Sequence, residues 1–340
     1  MRRKRNTLII SGIVLICILL FILNLIIGST TVSLSEFIKV ILQDSNDNTL
    51  GIIILNYRLP QAITALLAGA ALSVAGLLMQ TLFRNPLADP SMLGISSGAS
   101  LGVGVVILLT GALTGAAASS FTWWSTIGVS IAAFAGATAV LLVMMSFSAK
   151  INNMTTLVII GLMISFLANS FTDIMKYYSI KEDIHSFVVW GMGSFSGVGT
   201  KKLAVFSISI MIGLAATFFL PKNLNILLLG DTYAENLGLN IRRNSVIIIL
   251  ISGYLTAITT AYCGPISFIG LSVPHIARYL FKSSDHRLLV PISILIGMVM
   301  TLFCNIIARL PGLDGNLPIN AVTALIGAPI VISVILRNKK

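Results

Sequence analysis

One carboxylate of this sequence lies inside an apolar segment, where it could bind a proton or a sodium ion. Asp173 lies within an apolar run, one helical turn before Lys176. A proton- or sodium-coupled carrier would need acidic residues at such a depth, whereas an i,i+3 pair of opposite charges also stabilises an ordinary helix. We prefer the local ion pair, because no second carboxylate lies well inside an apolar run and Asp173 is near the end of its own.

The other candidates for chemistry are three histidines and three cysteines: His185, His275, His286, Cys17, Cys263 and Cys304. Their spacing fits neither a metal site nor a disulfide framework. The chain has no Gly-Lys pair, which excludes a G-x-x-x-x-G-K-[ST] phosphate-binding loop. GMGSFSG at 191–197 lacks the spacing and the preceding strand of a dinucleotide-binding loop. The sequence therefore predicts no catalytic residue, no metal site and no cofactor held by this chain.

Two polar stretches interrupt the apolar sequence. MQTLFRNPLADPSMLGISSGAS at 79–100 contains Pro86 and Pro90, which lack an N–H and disfavour helix in the preceding residue. Irregular backbone at membrane depth needs protein or water around it, so this stretch is expected to line a pathway. The segment 221–243 predicts a helix, a break at Gly230 and a short second helix. The alternatives are a tight capped loop for the first stretch and a solvated loop for the second.

Composition predicts an all-α polytopic membrane protein. Of the 340 residues 56% are hydrophobic and 10% are charged, whereas soluble domains carry about 25% charged residues. Apolar runs that could cross a hydrocarbon core of about 30 Å recur along the chain. The predicted spans are 7–28, 59–82, 92–110, 124–147, 154–177, 202–221, 244–262, 267–281, 288–309 and 318–336. We therefore expect about ten transmembrane helices in a single domain, residues 1–340.

The basic residues indicate orientation rather than nucleic-acid binding. The net charge is +11, but Lys and Arg lie in short connecting segments and at both ends, beginning with MRRKRN. With both termini in the cytoplasm, most of the 22 Lys and Arg residues are cytoplasmic and most of the 11 Asp and Glu residues are outside. This distribution follows the positive-inside rule. It predicts a multi-pass protein of the cytoplasmic membrane, with a short helix at the outer surface within 178–201.

Three segments carry a family resemblance. They are RLPQAITALLAGAALSVAGLLMQTLFRNPLADPSMLGISSGASLG from Arg58, GPISFIGLSVPHIAR at 264–278 and LPINAVTALIGAP at 317–329. In this order and spacing they resemble the FecCD/BtuC-type permeases, the binding-protein-dependent ABC importer permeases for ferric siderophores, haem and vitamin B12. With the span pattern, the resemblance covers nearly the whole chain.

The resemblance implies a type II ABC importer (BtuC-like) permease fold with ten transmembrane helices per subunit. It implies a second permease subunit around a central pathway, two cytoplasmic ATPase subunits that hold ATP and Mg, and an extracellular binding protein. Such an assembly agrees with the missing phosphate-binding loop. Homodimer and sister-permease heterodimer both remain open, with a slight preference for the heterodimer.

The resemblance also implies roles for individual residues, at positions that match the motifs of the family. Asn85 and Leu87 are expected at the cytoplasmic gate, opposed by the 152–156 turn with Thr155. The segment 221–243 resembles paired helices that couple to the ATPase, and a short amphipathic element can bind a groove on a partner. The matching coupling residues are Gly230, Asp231, Ala234, Leu237 and Gly238.

Two arginines match positions that contact the binding protein. Arg58 is expected to open span two and Arg309 to close span nine, where they would meet glutamates of that protein. Exposed ion pairs contribute only about 0–1 kcal/mol to affinity. These pairs would therefore mainly speed association with the binding protein and fix its position on the permease. The alternative is an arginine that merely snorkels to the interface. The B12-type pattern has a second arginine three residues after the first, where this chain has Gln61.

The expected cargo is a ferric siderophore, with haem as the second candidate and cobalamin as the third. The shared motifs belong to the fold and the ATPase, so selectivity is expected to reside mostly in the binding protein. A different class of function is an ion-coupled secondary carrier, which would need no ATPase and would depend on a residue such as Asp173. A membrane-embedded enzyme has no supporting residues in this sequence.

Overall fold

The computed structural model describes residues 2–28, 49–110, 113, 128–151, 153–310 and 316–337. Over these residues the chain forms helices and no strand. They are named α1 (Arg2–Ile26), α2 (Thr49–Leu82), α3 (Ile95–Leu109), α4 (Val129–Ser148), α5 (Met154–Tyr178), α6 (Lys181–Gly191), α7 (Thr200–Thr217), α8 (Pro221–Leu227), α9 (Asp231–Asn236), α10 (Ile241–Cys263), α11 (Ile269–Phe281), α12 (His286–Ala308) and α13 (Ile319–Arg337).

The helices confirm the prediction of an all-α polytopic membrane fold. Seven of the described helices are long and apolar enough to cross a membrane: α1, α2, α4, α5, α7, α10 and α12. The apolar helix α3 is shorter, as is the apolar part of α13 at Ile319–Ser333, and α11 has 13 residues. Each of the ten predicted spans therefore overlaps one of these helices.

Helix α2 is the centre of the bundle. Its apolar window is 89% buried, and it packs against α1, α7, α10, α11 and α12. Small residues make this possible, since a Cβ at Gly76 would overlap the backbone of Gly270, and a Cβ at Gly69 would overlap that of Gly297. Helices in lipid associate through such close backbone approach. The small residues of α2 thus bring α11 and α12 onto it.

Helix α2 begins earlier than predicted. The expected span began at residue 59, but the helix begins at Thr49 and passes through a π-turn at Ile53–Arg58 before Pro60. Proline within a regular helix removes one hydrogen bond and clashes with the preceding turn. The π-turn widens the backbone just before the ring, so the apolar residues ahead of Arg58 continue the helix.

Two local interpretations are confirmed. Asp173 and Lys176 form an i,i+3 ion pair at 3.0 Å on the surface of α5. The polar stretch beyond α5 contains the short helix α6. Cys17, Cys263 and Cys304 are buried and free, and buried free cysteines behave as small hydrophobic residues.

Candidate functional site

Residues 84–90, RNPLADP, follow the end of α2 and are called here the proline loop. Its own side chains shape it. The Asn85 side-chain oxygen accepts a hydrogen bond from the Leu87 N–H at 2.9 Å, and the Asp89 carboxylate accepts one from the Ser91 N–H at 2.9 Å. Arg84 has a positive φ of 45°. Such short-range bonds replace the helical ones that the two prolines prevent, so the loop has a defined shape.

Helix α11 holds the proline loop from the side. The Nε2 atom of His275 lies 2.8 Å from the Pro86 carbonyl oxygen, and because that oxygen can only accept, the imidazole donates. Arg278 donates to the Gln80 side-chain oxygen at 2.6 Å, and Gln80 donates to the Leu271 carbonyl at 3.1 Å. We call His275, Arg278 and Gln80 the α11 clamp. It joins the end of α2, the loop and α11 into one polar cluster.

The predicted gate residues are placed around this loop without direct bonds between them. Asn85 is exposed and Leu87 is half-buried. Thr155 is exposed at the start of α5, where its N–H donates to the capping Asn153 at 2.9 Å. Within the described part of the chain, no hydrogen bond joins Thr155 to Asn85 or Leu87. The gate role of these three residues stays a prediction.

The contact between α5 and the loop region lies deeper along α5. A Cβ at Gly161 would overlap the backbone at Met92, and Gly94 lies against the Gly161 carbonyl oxygen with a φ of +79°. This left-handed conformation suits glycine because it has no Cβ. The chain after the proline loop therefore packs against α5 around Gly161 before α3 begins at Ile95.

The predicted coupling segment consists of α8 and α9. Gly230, between them, has a φ of +103°, and Gly238, after α9, has a φ of +82°, so both turns need glycine. Ala234 is fully buried, whereas Leu237 is 62% exposed. An open cleft of about 610 Å³ lies beside α9. Its lining residues are Asp231, Glu235, Gly238, Leu239, Asn240, Ile241 and Arg242.

An ion pair connects this segment to the proline loop. The Arg84 guanidinium donates to the Asp231 carboxylate. Because the two side chains are 41% and 60% exposed, the pair contributes only about 0–1 kcal/mol. The pair matters for where it lies. It places Asp231, a predicted coupling residue, against the proline loop, which contains the predicted gate residues Asn85 and Leu87.

The predicted docking arginines are buried in this chain. Arg58 is 2% exposed and donates to the carbonyl oxygens of Leu25 and Ile26 at 3.0 and 2.6 Å. Arg309 is 8% exposed and donates to the Asn24 carbonyl at 3.4 Å. The last carbonyls of a helix have no partner within the helix, and cations are favourable there. The two arginines cap α1, and their contact with a binding protein stays a prediction.

We expect Arg58→Gln to destabilise the protein. The shorter side chain does not reach both carbonyls, and each buried acceptor left unpaired costs about 1–3 kcal/mol. Thermal unfolding of the purified protein in detergent would measure the loss, with Arg5→Gln, at an exposed arginine, as the matched control. Equal unfolding temperatures for the two variants would contradict the capping role and favour a purely external contact for Arg58.

The α11 clamp was not foreseen from the sequence. Spacing alone indicated no role for His275 and His286, but they are 6% and 1% exposed and bond to other segments. A signal was present, since His275 and Arg278 are spaced i,i+3 and polar side chains within spans face the bundle interior. What they would contact could not be inferred, because Pro86 is 189 residues away along the chain.

Three comparisons with known proteins agree with this architecture. The sequence model described as the FecCD transport family matches residues 16–337. The vitamin B12 import system permease proteins BtuC of Salmonella typhi and Salmonella newport (strain SL254) are each 34% identical over 286 residues, covering 83% of this chain and 83% of the relative. A solved structure assigned to the metal-chelate type of ABC transporter, in an inward-facing conformation, superposes with a TM-score of 0.84 at 29% identity. That similarity covers 97% of this chain and 99% of the other.

Proposed function

Because this chain belongs to the FecCD transport family, we propose that it carries a ferric siderophore through the cytoplasmic membrane. It is an ABC importer permease of that family, and its members are multi-pass transport proteins rather than enzymes. The family works with an ATPase and a binding protein. In our proposal both termini are cytoplasmic, ATP and Mg bind to the ATPase subunits, and a second permease subunit completes the pathway.

One observation supports a permease whose pathway is controlled by a partner. The proline loop is held by α11 through His275 and tied to α9 through the Arg84–Asp231 pair. A partner that binds the segment 221–243 would therefore act on the loop through the residues of this chain. In the proposed mechanism, displacement of α8 and α9 by the ATPase moves the proline loop, with Asn85 and Leu87, away from the pathway.

The cargo proposal depends on the chemistry of metal chelates. The solved structure with the matching fold is of the metal-chelate type, and a ferric siderophore is such a chelate. At the position of the second arginine of the B12-type pattern stands Gln61, which is 7% exposed and donates to Asn305 at 3.2 Å. This neutral amide lacks the positive charge that the B12-type pattern has at this position, which favours a cargo other than cobalamin.

Cobalamin, the third candidate from the sequence, becomes the second candidate on a specific observation. The relatives described above are named as vitamin B12 permeases, and cobalamin is also a metal chelate. The pathway would have to accept either molecule, so the binding protein would decide between them.

We expect uptake to depend on this chain for one class of ferric siderophore. Cells that lack the chain would be given labelled iron as hydroxamate or catecholate complexes, and labelled haem and cobalamin, before and after complementation. Restored iron uptake with unchanged cobalamin uptake is the expected result. A change in cobalamin uptake alone would contradict the siderophore proposal and leave the family assignment intact.

Two controls separate the importer from an ion-coupled carrier. Asp173→Asn is expected to leave uptake unchanged, because Asp173 pairs with Lys176 at the surface. An ATPase partner that cannot hydrolyse ATP is expected to abolish uptake. Loss of uptake in Asp173→Asn, together with uptake that continues without ATP hydrolysis, would indicate a secondary carrier.

A further inference from the structure

A second connection runs from the segment 221–243 to the end of α2, through the bundle instead of over its surface. Asn225, on α8, donates its side-chain N–H to the Asp285 carboxylate at 2.7 Å. Its side-chain oxygen lies 2.8 Å from both the backbone N and the Nδ1 atom of His286, the first residue of α12. The Nε2 atom of His286 lies 2.7 Å from the Thr81 hydroxyl, on the last turn of α2.

The direction of each hydrogen bond in this row can be deduced. Asp285 caps α12 by accepting from the Arg287 N–H, and the hydrogen bond from Asn225 lowers the pKa of its carboxyl, so it is an ionised acceptor. The Asn225 N–H group must face it, which leaves the Asn225 oxygen to accept from His286. Nδ1 of His286 is therefore a donor. The ring is 1% exposed, and burial favours the neutral imidazole, whose Nε2 is then an acceptor.

Thr81 completes the row. Its hydroxyl has two acceptors within reach, the Leu77 carbonyl at 2.8 Å and Nε2 of His286 at 2.7 Å. Since Nε2 of the neutral ring can only accept, the Thr81 hydroxyl donates to it. Thr81 is 3% exposed and His286 is 1% exposed. The hydrogen bond between these two buried side chains is therefore costly to leave unmade.

We propose that Asn225, His286 and Thr81 form a relay of positioning residues that passes movement of the ATPase-binding helices to the proline loop. The inference rests on the proposed coupling role of the segment 221–243. The relay reaches α2 at Thr81, three residues before Arg84. Arg84 itself forms the exposed ion pair with Asp231. The loop is thus attached to α8 through a row of hydrogen bonds that is buried at His286 and Thr81, and to α9 through an ion pair. When α8 moves, the row draws the last turn of α2 with it.

The chain offers a well-matched pair of variants at Thr81. Thr81→Val keeps the size and branching of the side chain and removes the hydroxyl, whereas Thr81→Ser keeps the hydroxyl. A role in packing alone would be preserved by valine, and a role of the hydrogen bond would be preserved by serine. Both variants alter a single atom or methyl group, so neither is expected to prevent folding.

The experiment measures movement of the proline loop with a single thiol. Ser91→Cys places an exposed cysteine just after the loop, whereas Cys17, Cys263 and Cys304 are buried. The complex with its ATPase, in lipid nanodiscs, would be treated with a charged maleimide in the absence of nucleotide and with ATP and vanadate. ATP hydrolysis would be measured on the same samples.

With the native Thr81, the labelling rate at Ser91→Cys is expected to differ between the two nucleotide states. Loss of one buried hydrogen bond, about 1 kcal/mol, corresponds to a roughly fivefold change in an equilibrium. We expect Thr81→Val to reduce the difference between states by about fivefold while ATP hydrolysis continues, and Thr81→Ser to retain it.

Each of the following three results would contradict the proposed relay. If Thr81→Val responds to nucleotide like the native protein, the hydrogen bond carries no movement. If valine and serine both lose the response, packing at Thr81 and not its hydroxyl is responsible. If the native complex itself shows no nucleotide response, the proposed coupling role of the segment 221–243 fails, and the relay fails with it.

Discussion

Gly76→Ala is expected to destabilise this protein strongly. The added Cβ would overlap the backbone carbonyl of Gly270, so α2 and α11 would have to separate. Separation would also stretch the hydrogen bond from Gln80 to the Leu271 carbonyl, now 3.1 Å. Overpacking costs about 1–3 kcal/mol and the lost hydrogen bond a similar amount, so we expect about 3 kcal/mol or more in total.

The measurement is the yield of monodisperse protein and its unfolding temperature in detergent. Gly12→Ala is the matched control, because nothing lies within 4 Å of a Cβ at that position in α1. Alanine is the better helix former, by roughly 0.5–1 kcal/mol, so the control is expected to be neutral or slightly stabilising. A native unfolding temperature for Gly76→Ala would show that α2 and α11 do not pack as described.

His275→Leu is expected to release the proline loop. Leucine fills most of the space but cannot donate to the Pro86 carbonyl, which the imidazole contacts at 2.8 Å. An acceptor left without its partner costs about 1–3 kcal/mol, which corresponds to a roughly 5- to 150-fold rise in the population of the released loop. We expect faster labelling at Ser91→Cys without nucleotide, and more ATP hydrolysed per cargo molecule transported.

His275→Gln distinguishes the hydrogen bond from the bulk of the side chain. The amide N–H of glutamine can donate to the same carbonyl, so this variant is expected to label slowly, like the native protein. Fast labelling in both variants would assign the effect to packing of α11. Slow labelling in both would show that Arg278 and Gln80 hold the loop without His275.

The sequence alone determined the parts of this protein that depend on local composition. Apolar runs of sufficient length predict the spans, because backbone groups in lipid must bond within their own helix. Pro86 and Pro90 predict the interruption after α2, and Gly230 predicts the break between α8 and α9. The motifs around these positions indicated the family, which the comparisons then confirmed.

Tertiary structure decided which polar groups meet. Arg58 has the sequence context of a surface arginine, yet it lies buried at the end of α1. His275 and His286 have no distinctive spacing, yet one holds the proline loop and the other joins α8 to α2. Their partners come from distant parts of the chain, brought together by the close packing of α2 at Gly69 and Gly76. Local sequence sets helix propensity and hydropathy, but a hydrogen bond between segments depends on how the helices pack, and that packing is a property of the whole bundle.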